Sequence, residues 1–209
     1  MNKKRLSRLR LGLFGGGFDP VHLGHLLLAE TARQEAALDR VVFVPTGRSP
    51  HRCGKDCYHA EAEHRFQMLR LATADCPEFE VGRHEIDRQE TSYTIDTLRT
   101  LHAERPNADF FLILGGDIFH DLPQWRNVDE ILKLATPLVA LRPGFTEMFA
   151  SSIRYLPLPM PQLEISSTGI RRDRAAGKSI RFRVPATVEA YMRDHQLYAE
   201  NEKNSPKPS

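Results

Sequence analysis

The strongest apolar runs in the chain are short and continuous, and they are separated by stretches with helical periodicity. Leu9, Leu11 and Leu13 lead into Gly15-Gly16-Gly17, a strand closed by a glycine turn. After Pro20 a helix is expected over Gly24 to Leu38, where Leu28, Ala29, Ala32 and Ala36 share an arc of about 100°, the width of a core-facing stripe. Val41 to Val44, closed by Pro45, has the composition of a buried strand. Glu61 to Ala74 is expected to be helical, Phe79 to Ile86 extended, and Tyr93 to Glu104 helical up to Pro106. Phe110 to Leu114 is the most apolar strand candidate and ends at Gly115-Gly116-Asp117. A helix near Val128 to Leu134 and a strand near Leu138 to Leu141 follow. Pro157, Pro159 and Pro161 then punctuate a loop ahead of two last helices, Ser167 to Ala176 and Pro185 to His195.

Alternation of this kind, with continuous rather than alternating strands, predicts the α/β class. The expected fold is a Rossmann-like open parallel sheet with helices on both faces and a C-terminal helical part. One domain is expected over residues 1–198, with a frayed polar tail over 199–209. In sheets of this type ligands sit beyond the carboxyl ends of the strands, so the two glycine-rich strand ends should border one cleft.

Composition narrows the function. The 209 residues are 41% hydrophobic and 27% charged, with a mean hydropathy of −0.43, as in a folded soluble domain. No apolar run approaches the roughly 20 residues needed to cross a bilayer, so no membrane association is expected. The basic start, with Lys3, Lys4, Arg5, Arg8 and Arg10, is not followed by a secretory pattern. Three cysteines (Cys53, Cys57, Cys76) fit a reducing, cytoplasmic setting better than a disulfide scaffold. A net charge of +2 gives weak support to a nucleic-acid partner, and 11 Phe and 5 Tyr form no stacking pattern.

The segment Gly15-Gly16-Gly17-Phe18-Asp19-Pro20-Val21-His22-Leu23-Gly24-His25 is the most informative. Its glycines let backbone N–H groups approach a phosphate, and the helix start that follows adds positive potential. It is neither G-x-G-x-x-G nor a Walker loop. His22 and His25 lie three apart at the helix start, a spacing open to a metal pair, to helix capping, or to donors for phosphate oxygens, a protonated ring also neutralising charge. In Ile165-Ser166-Ser167-Thr168-Gly169-Ile170-Arg171, Ser167 or Thr168 is a natural N-cap, and Arg171 one turn later can fork onto an anion at the helix end. Cys53, Cys57, His59 and His64 are spaced either as a cramped zinc site or as a loop entering a helix with His64 and Arg65 on its surface.

Taken together, Gly16-Gly17-Phe18-Asp19-Pro20 and His22-x-Gly24-His25 resemble the signature of the (H/T)xGH nucleotidyltransferase superfamily. Within it the chain is similar, from Leu11 to Tyr198, to the bacterial nicotinate-nucleotide adenylyltransferases. The Ser166 to Arg171 stretch is similar to that family's second signature, which holds the β- and γ-phosphates of ATP. Ser49-Pro50-His51-Arg52 resembles its Pro-Pro-His-Lys/Arg loop, with Ser49 in place of the first proline. Gly17 stands where the family usually has Thr, which would leave the loop more pliable.

The resemblance implies transfer of the adenylyl group of ATP to nicotinate mononucleotide, giving nicotinate adenine dinucleotide and pyrophosphate. It implies His22, His25 and Arg171 as catalytic residues. Gly15, Gly16, Gly17, Phe18, Arg52, Gly115, Asp117, Ser167 and Thr168 are expected on the ATP side. Ser92, Tyr93, Thr94, Trp125 and Arg126 are expected around the mononucleotide, with Trp125 stacking on its ring. Mg²⁺ is expected to arrive with ATP rather than in a protein cage. A nicotinamide or phosphopantetheine acceptor, or a nucleotide-binding module without turnover, are the rival readings. A homo-oligomer is compatible with the sequence.

Overall fold

The computed structural model describes residues 8–50, 58–141, 153–161 and 163–199. Among these residues there are six strands: β1 (Leu9–Gly16), β2 (Arg40–Pro45), β3 (Phe79–Val81), β4 (Ala108–Gly115), β5 (Ala135–Leu141) and β6 (Leu156–Pro159). All pairings are parallel, in the order β3-β2-β1-β4-β5-β6, the order of a doubly wound dinucleotide-binding sheet. The helices are α1 (Leu23–Glu35), α2 (Ala62–Thr73), α3 (Thr94–Glu104), α4 (Gly116–Asp121), α5 (Val128–Leu134), α6 (Ser167–Ala175) and α7 (Ala186–Asp194), with a 3₁₀ turn over Leu122–Gln124.

The continuous apolar strands are explained by burial on both faces. Val41 and Phe43 of β2, with Phe111 and Ile113 of β4, enter one core. Val42 and Val44, with Phe110, Leu112 and Leu114, enter a second on the opposite face, as the two-residue period of a strand dictates. The first core is closed by Leu28, Ala29 and Ala32 of α1, Met68 of α2, Ile170 of α6 and Val188 of α7. The second is closed by Leu98 of α3, Phe119 of α4 and Ile131 of α5.

Several boundaries differ from expectation. Helix α1 stops at Glu35, because Ala37 turns the backbone left-handed at φ +44°. Only Phe79–Val81 of the expected extended stretch is strand. Gly116-Asp117 begins α4 directly after β4, a helix the sequence reading did not place. The expected proline loop contains β6, which forms the edge of the sheet and pairs only with β5. An edge strand tolerates Pro157 and Pro159 because their missing N–H groups need no second partner. Pro137 lies inside β5 but ahead of the stretch, Leu138 onward, that pairs with β6.

Candidate active site

Strand order reverses between β1 and β4, where a crevice is expected beyond the carboxyl ends of the strands. A cavity of about 580 Å³ opens there. Its wall includes Gly15 to Phe18 from the end of β1 and Gly115 from the end of β4, so the two glycine-rich strand ends do share one cleft. A Cβ built on Gly15 or Gly115 would meet nothing within 4 Å. Packing therefore does not require glycine at either place; their missing side chains leave open cavity for a ligand.

Gly17 has a different cause. A Cβ there would lie 2.7 Å from Cε1 of Tyr58, whose ring carries the Arg65 guanidinium 4.0 Å above its centre. The loop is backed at this position by an aromatic ring. Arg65 is buried, at 1% exposure, contrary to the expectation that it lies on the helix surface. It donates to the carbonyl oxygens of Ala60 (3.2 Å), Gly17 (2.8 Å) and Thr46 (2.7 Å), which ties the exits of β1 and β2 to the start of α2.

His22 and His25 form a reciprocal cap on α1. The His25 N–H donates to His22 Nδ1 (3.3 Å) and the His22 N–H to His25 Nδ1 (3.2 Å), with the rings stacked at 3.6 Å between centroids. The capping role and the phosphate-donor role are thus compatible. With both Nδ1 atoms accepting, each neutral ring carries its proton on Nε2, which leaves one donor per ring for a ligand. Burial lowers the His22 pKa to about 4. Burial first, and then the neighbouring His22, hold His25 well below the ordinary imidazole range. Of the two forms open to these rings, the neutral one is favoured at pH 7.

The α6 segment docks on the same turn. Ser166, not Ser167 or Thr168, is the N-cap, its Oγ accepting from the Gly169 N–H at 3.1 Å. Ser167 is thereby freed to donate from Oγ to the Pro20 carbonyl (2.9 Å). Arg171 donates to the Asp19 carbonyl (2.6 Å) and to Thr168 Oγ1 (3.2 Å). Its side chain lies 3.9 Å from the Asp19 carboxylate. Asp19 is the hub that sequence reading missed. Its carboxylate also accepts from the backbone of His59 (2.8 Å) and Ala60 (3.1 Å) and from the Tyr198 hydroxyl (2.6 Å), so the closing Tyr198 is tied to the signature turn. The only early signal for this role was the place of Asp19 inside the glycine motif.

His25, Ser92, Tyr93, Thr94, Trp125 and Arg126 line the cavity with the glycine turn. Trp125 is half-buried at the end of the 3₁₀ turn, where its N–H donates to the Leu122 carbonyl at 3.0 Å. The Arg126 guanidinium lies 4.6 Å above the Tyr93 ring. His22, Asp117, Ser167, Thr168 and Arg171 are not part of that wall. Asp117 sits in the first turn of α4, Ser167 and Arg171 bond to the Asp19–Pro20 turn, and Thr168 accepts from Arg171. Arg52, Cys53 and Cys57 lie outside the described residues, as do residues 1–7 and 200–209. The cavity also takes in Glu85, a buried carboxyl that the sequence did not single out.

A glycine turn at the β1 end, two neutral imidazoles and an arginine beside a helix start define a nucleotidyltransferase site. In agreement with that class, residues 13–173 match the cytidylyltransferase-like family. Within it, the chain belongs to the nicotinate-nucleotide adenylyltransferase family. It is 43% identical over 190 residues to a probable nicotinate-nucleotide adenylyltransferase of Thermus thermophilus, covering 91% of this chain and 100% of that one. A probable nicotinate-nucleotide adenylyltransferase of Roseiflexus is 44% identical over 201 residues, covering 92% and 100%. The fold is similar to Plasmodium falciparum nicotinic acid mononucleotide adenylyltransferase complexed with NaAD. There the TM-score is 0.78 at 19% identity, over 92% of this chain and 98% of that one.

Proposed function

We propose that the protein joins ATP and nicotinate mononucleotide in this crevice, forming nicotinate adenine dinucleotide and releasing pyrophosphate. The observation that carries the reading is the convergence of His22, His25, Ser167 and Arg171 on the turn between Phe18 and Pro20, beside a cavity whose other half holds Tyr93, Thr94 and Trp125. The 5′-phosphate oxygen of the mononucleotide attacks the α-phosphorus of ATP. That oxygen–phosphorus bond forms as the bond to the β-phosphate bridging oxygen breaks, and pyrophosphate leaves with the electron pair. A phosphate nucleophile is already ionised at neutral pH, so alignment and charge stabilisation dominate over general-base chemistry.

In this reading the imidazole Nε2–H groups donate to the α-phosphate. Arg171, Arg52 and the start of α6 offset charge on the β- and γ-phosphates. Trp125 and the Ser92-Tyr93-Thr94 turn hold the mononucleotide, with Arg126 beside them, and Gly115 and Asp117 lie toward the adenosine. Among the described residues no three His, Cys, Asp or Glu side chains come together to hold a metal ion. Mg²⁺ would enter on ATP, held by phosphate oxygens and water, and would supply further charge neutralisation. No helix among the described residues is long and apolar enough to cross a membrane. The sparse cysteines of the sequence support a cytoplasmic setting.

The test is the product. With ATP and nicotinate mononucleotide the protein should release pyrophosphate and dinucleotide in equal amounts. His25→Ala should lower kcat by about a hundredfold or more, the scale of losing one oriented donor. A folded His25→Ala variant within threefold of wild type would remove His25 from the mechanism.

A further inference from the structure

Among the described residues Glu85 is the one carboxyl in the cavity wall, and at 6% exposure it is nearly enclosed. Its Oε1 accepts from Thr97 Oγ1 at 2.9 Å, which joins it to the first turns of α3, immediately after the Ser92-Tyr93-Thr94 turn. Ser92 is 5% exposed. Its Oγ is buried without a hydrogen bond of good geometry, yet it lies close enough to the Glu85 carboxyl to favour the ionised form. On the other side, a Cβ on Gly47 would fall 3.2 Å from Ser92 Oγ and far inside contact distance of the Glu85 carbonyl. The Ser92 N–H donates to the Arg48 carbonyl at 2.8 Å. Glu85, Ser92 and the loop leaving β2 are thus one wall, built around a carboxyl that can serve two hydroxyls.

We propose that Glu85 is the positioning residue for the mononucleotide half of the crevice: through Thr97 and the Ser92 hydroxyl it holds the Ser92–Thr94 turn where that turn meets the ligand. The inference rests on the reading that this turn contacts the mononucleotide. An ionised Glu85 can accept from both hydroxyls, whereas a protonated one offers a donor on one oxygen and leaves the buried Ser92 O–H without an acceptor, so the turn loses a restraint on protonation. Burial raises the Glu85 pKa from the ordinary carboxylate value. The charged or titratable groups acting on it are Arg88 and His84 on its own segment and Arg65 from α2. Mononucleotide binding should therefore weaken as pH falls through a range above that of an ordinary glutamate.

Trp125, the only tryptophan, lines the same cavity and reports binding by its fluorescence without turnover. In titrations with nicotinate mononucleotide at pH 7, Glu85→Ala should weaken binding about tenfold or more, with KM for ATP within about twofold of wild type. Glu85→Gln keeps a carbonyl for Thr97 but, like the protonated acid, can only donate toward Ser92, and at pH 7 should bind about threefold or more weakly than wild type. The ratio of wild-type to Glu85→Gln affinity cancels the ligand's own titration and should fall as pH is lowered. A folded Glu85→Ala variant with unchanged affinity, or an equal rise in KM for ATP, would overturn the proposal. So would a pH-independent ratio, which decides the matter if Glu85→Ala does not fold. Absence of any mononucleotide effect on wild-type Trp125 would instead sink the underlying functional reading.

Discussion

His22 caps α1 with a ring that must stay neutral, and that has a consequence for stability. Its pKa falls from 6.5 in the free side chain to about 4 in the folded protein, so the unfolded chain takes up a proton first as pH drops. The free energy of unfolding should be level above pH 6.5 and fall between about 6.5 and 4. From pH 7.5 to 5 the loss assigned to His22 is about 2 kcal/mol. Urea unfolding at the two pH values should show this loss in wild type. It should be reduced by that amount in His22→Asn, which retains a capping side chain; equal losses in both would refute the assignment. Gly17 makes the second prediction at this scale. Gly17→Thr should destabilise by roughly 1–3 kcal/mol through overpacking against Tyr58, and less in a Tyr58→Ala background. A wild-type Tm for Gly17→Thr would contradict the contact. In the sequence Gly17 was visible as a departure from the family pattern, but its cause was not, because Tyr58 is 41 positions away and only the fold brings the two together.

At the scale of elements, Arg65 joins two strand exits and a helix start through three backbone carbonyls. Arg65→Met keeps much of the bulk but leaves those carbonyls unpaired in a buried site. It should cost about 3 kcal/mol or more and lower turnover, since the Gly17 carbonyl it holds belongs to the signature loop. Thermal unfolding together with kcat measures both, and an unchanged Tm would refute the role. Helical and buried-strand patterns were legible because burial repeats every 3.6 or two residues, which is why Leu28, Ala29 and Ala32 were placed on the core face in advance. Arg65 was not, since a charged residue reads as surface until its acceptors are known. Strand β6 was missed for a related reason. Its prolines argue against a ladder, and only its position at the sheet edge makes them acceptable. The N-cap of α6 shifted by one residue because three adjacent Ser and Thr side chains compete for one role, and Ser167 is engaged by the Pro20 carbonyl.

For the whole molecule, the 3-2-1-4-5-6 strand order places the ends of β1 and β4 side by side, and both signature segments meet on one side of that crevice. The histidines, Ser167 and Arg171 were legible as motifs. Asp19 as their common anchor was not, because it unites Ala60, Arg171 and Tyr198 from three distant parts of the chain. The enzyme is expected to read a negatively charged pyridine substituent. Among the described residues, Arg126 above Tyr93 is the only cationic side chain in the wall of the cavity and Glu85 its only carboxyl. The most direct measurement is kcat/KM for nicotinate mononucleotide and for nicotinamide mononucleotide, side by side with saturating ATP. The acid should be preferred by about tenfold or more, the scale of one charge-assisted contact. An equal or greater value for the amide, or pyrophosphate release that needs no mononucleotide at all, would contradict it.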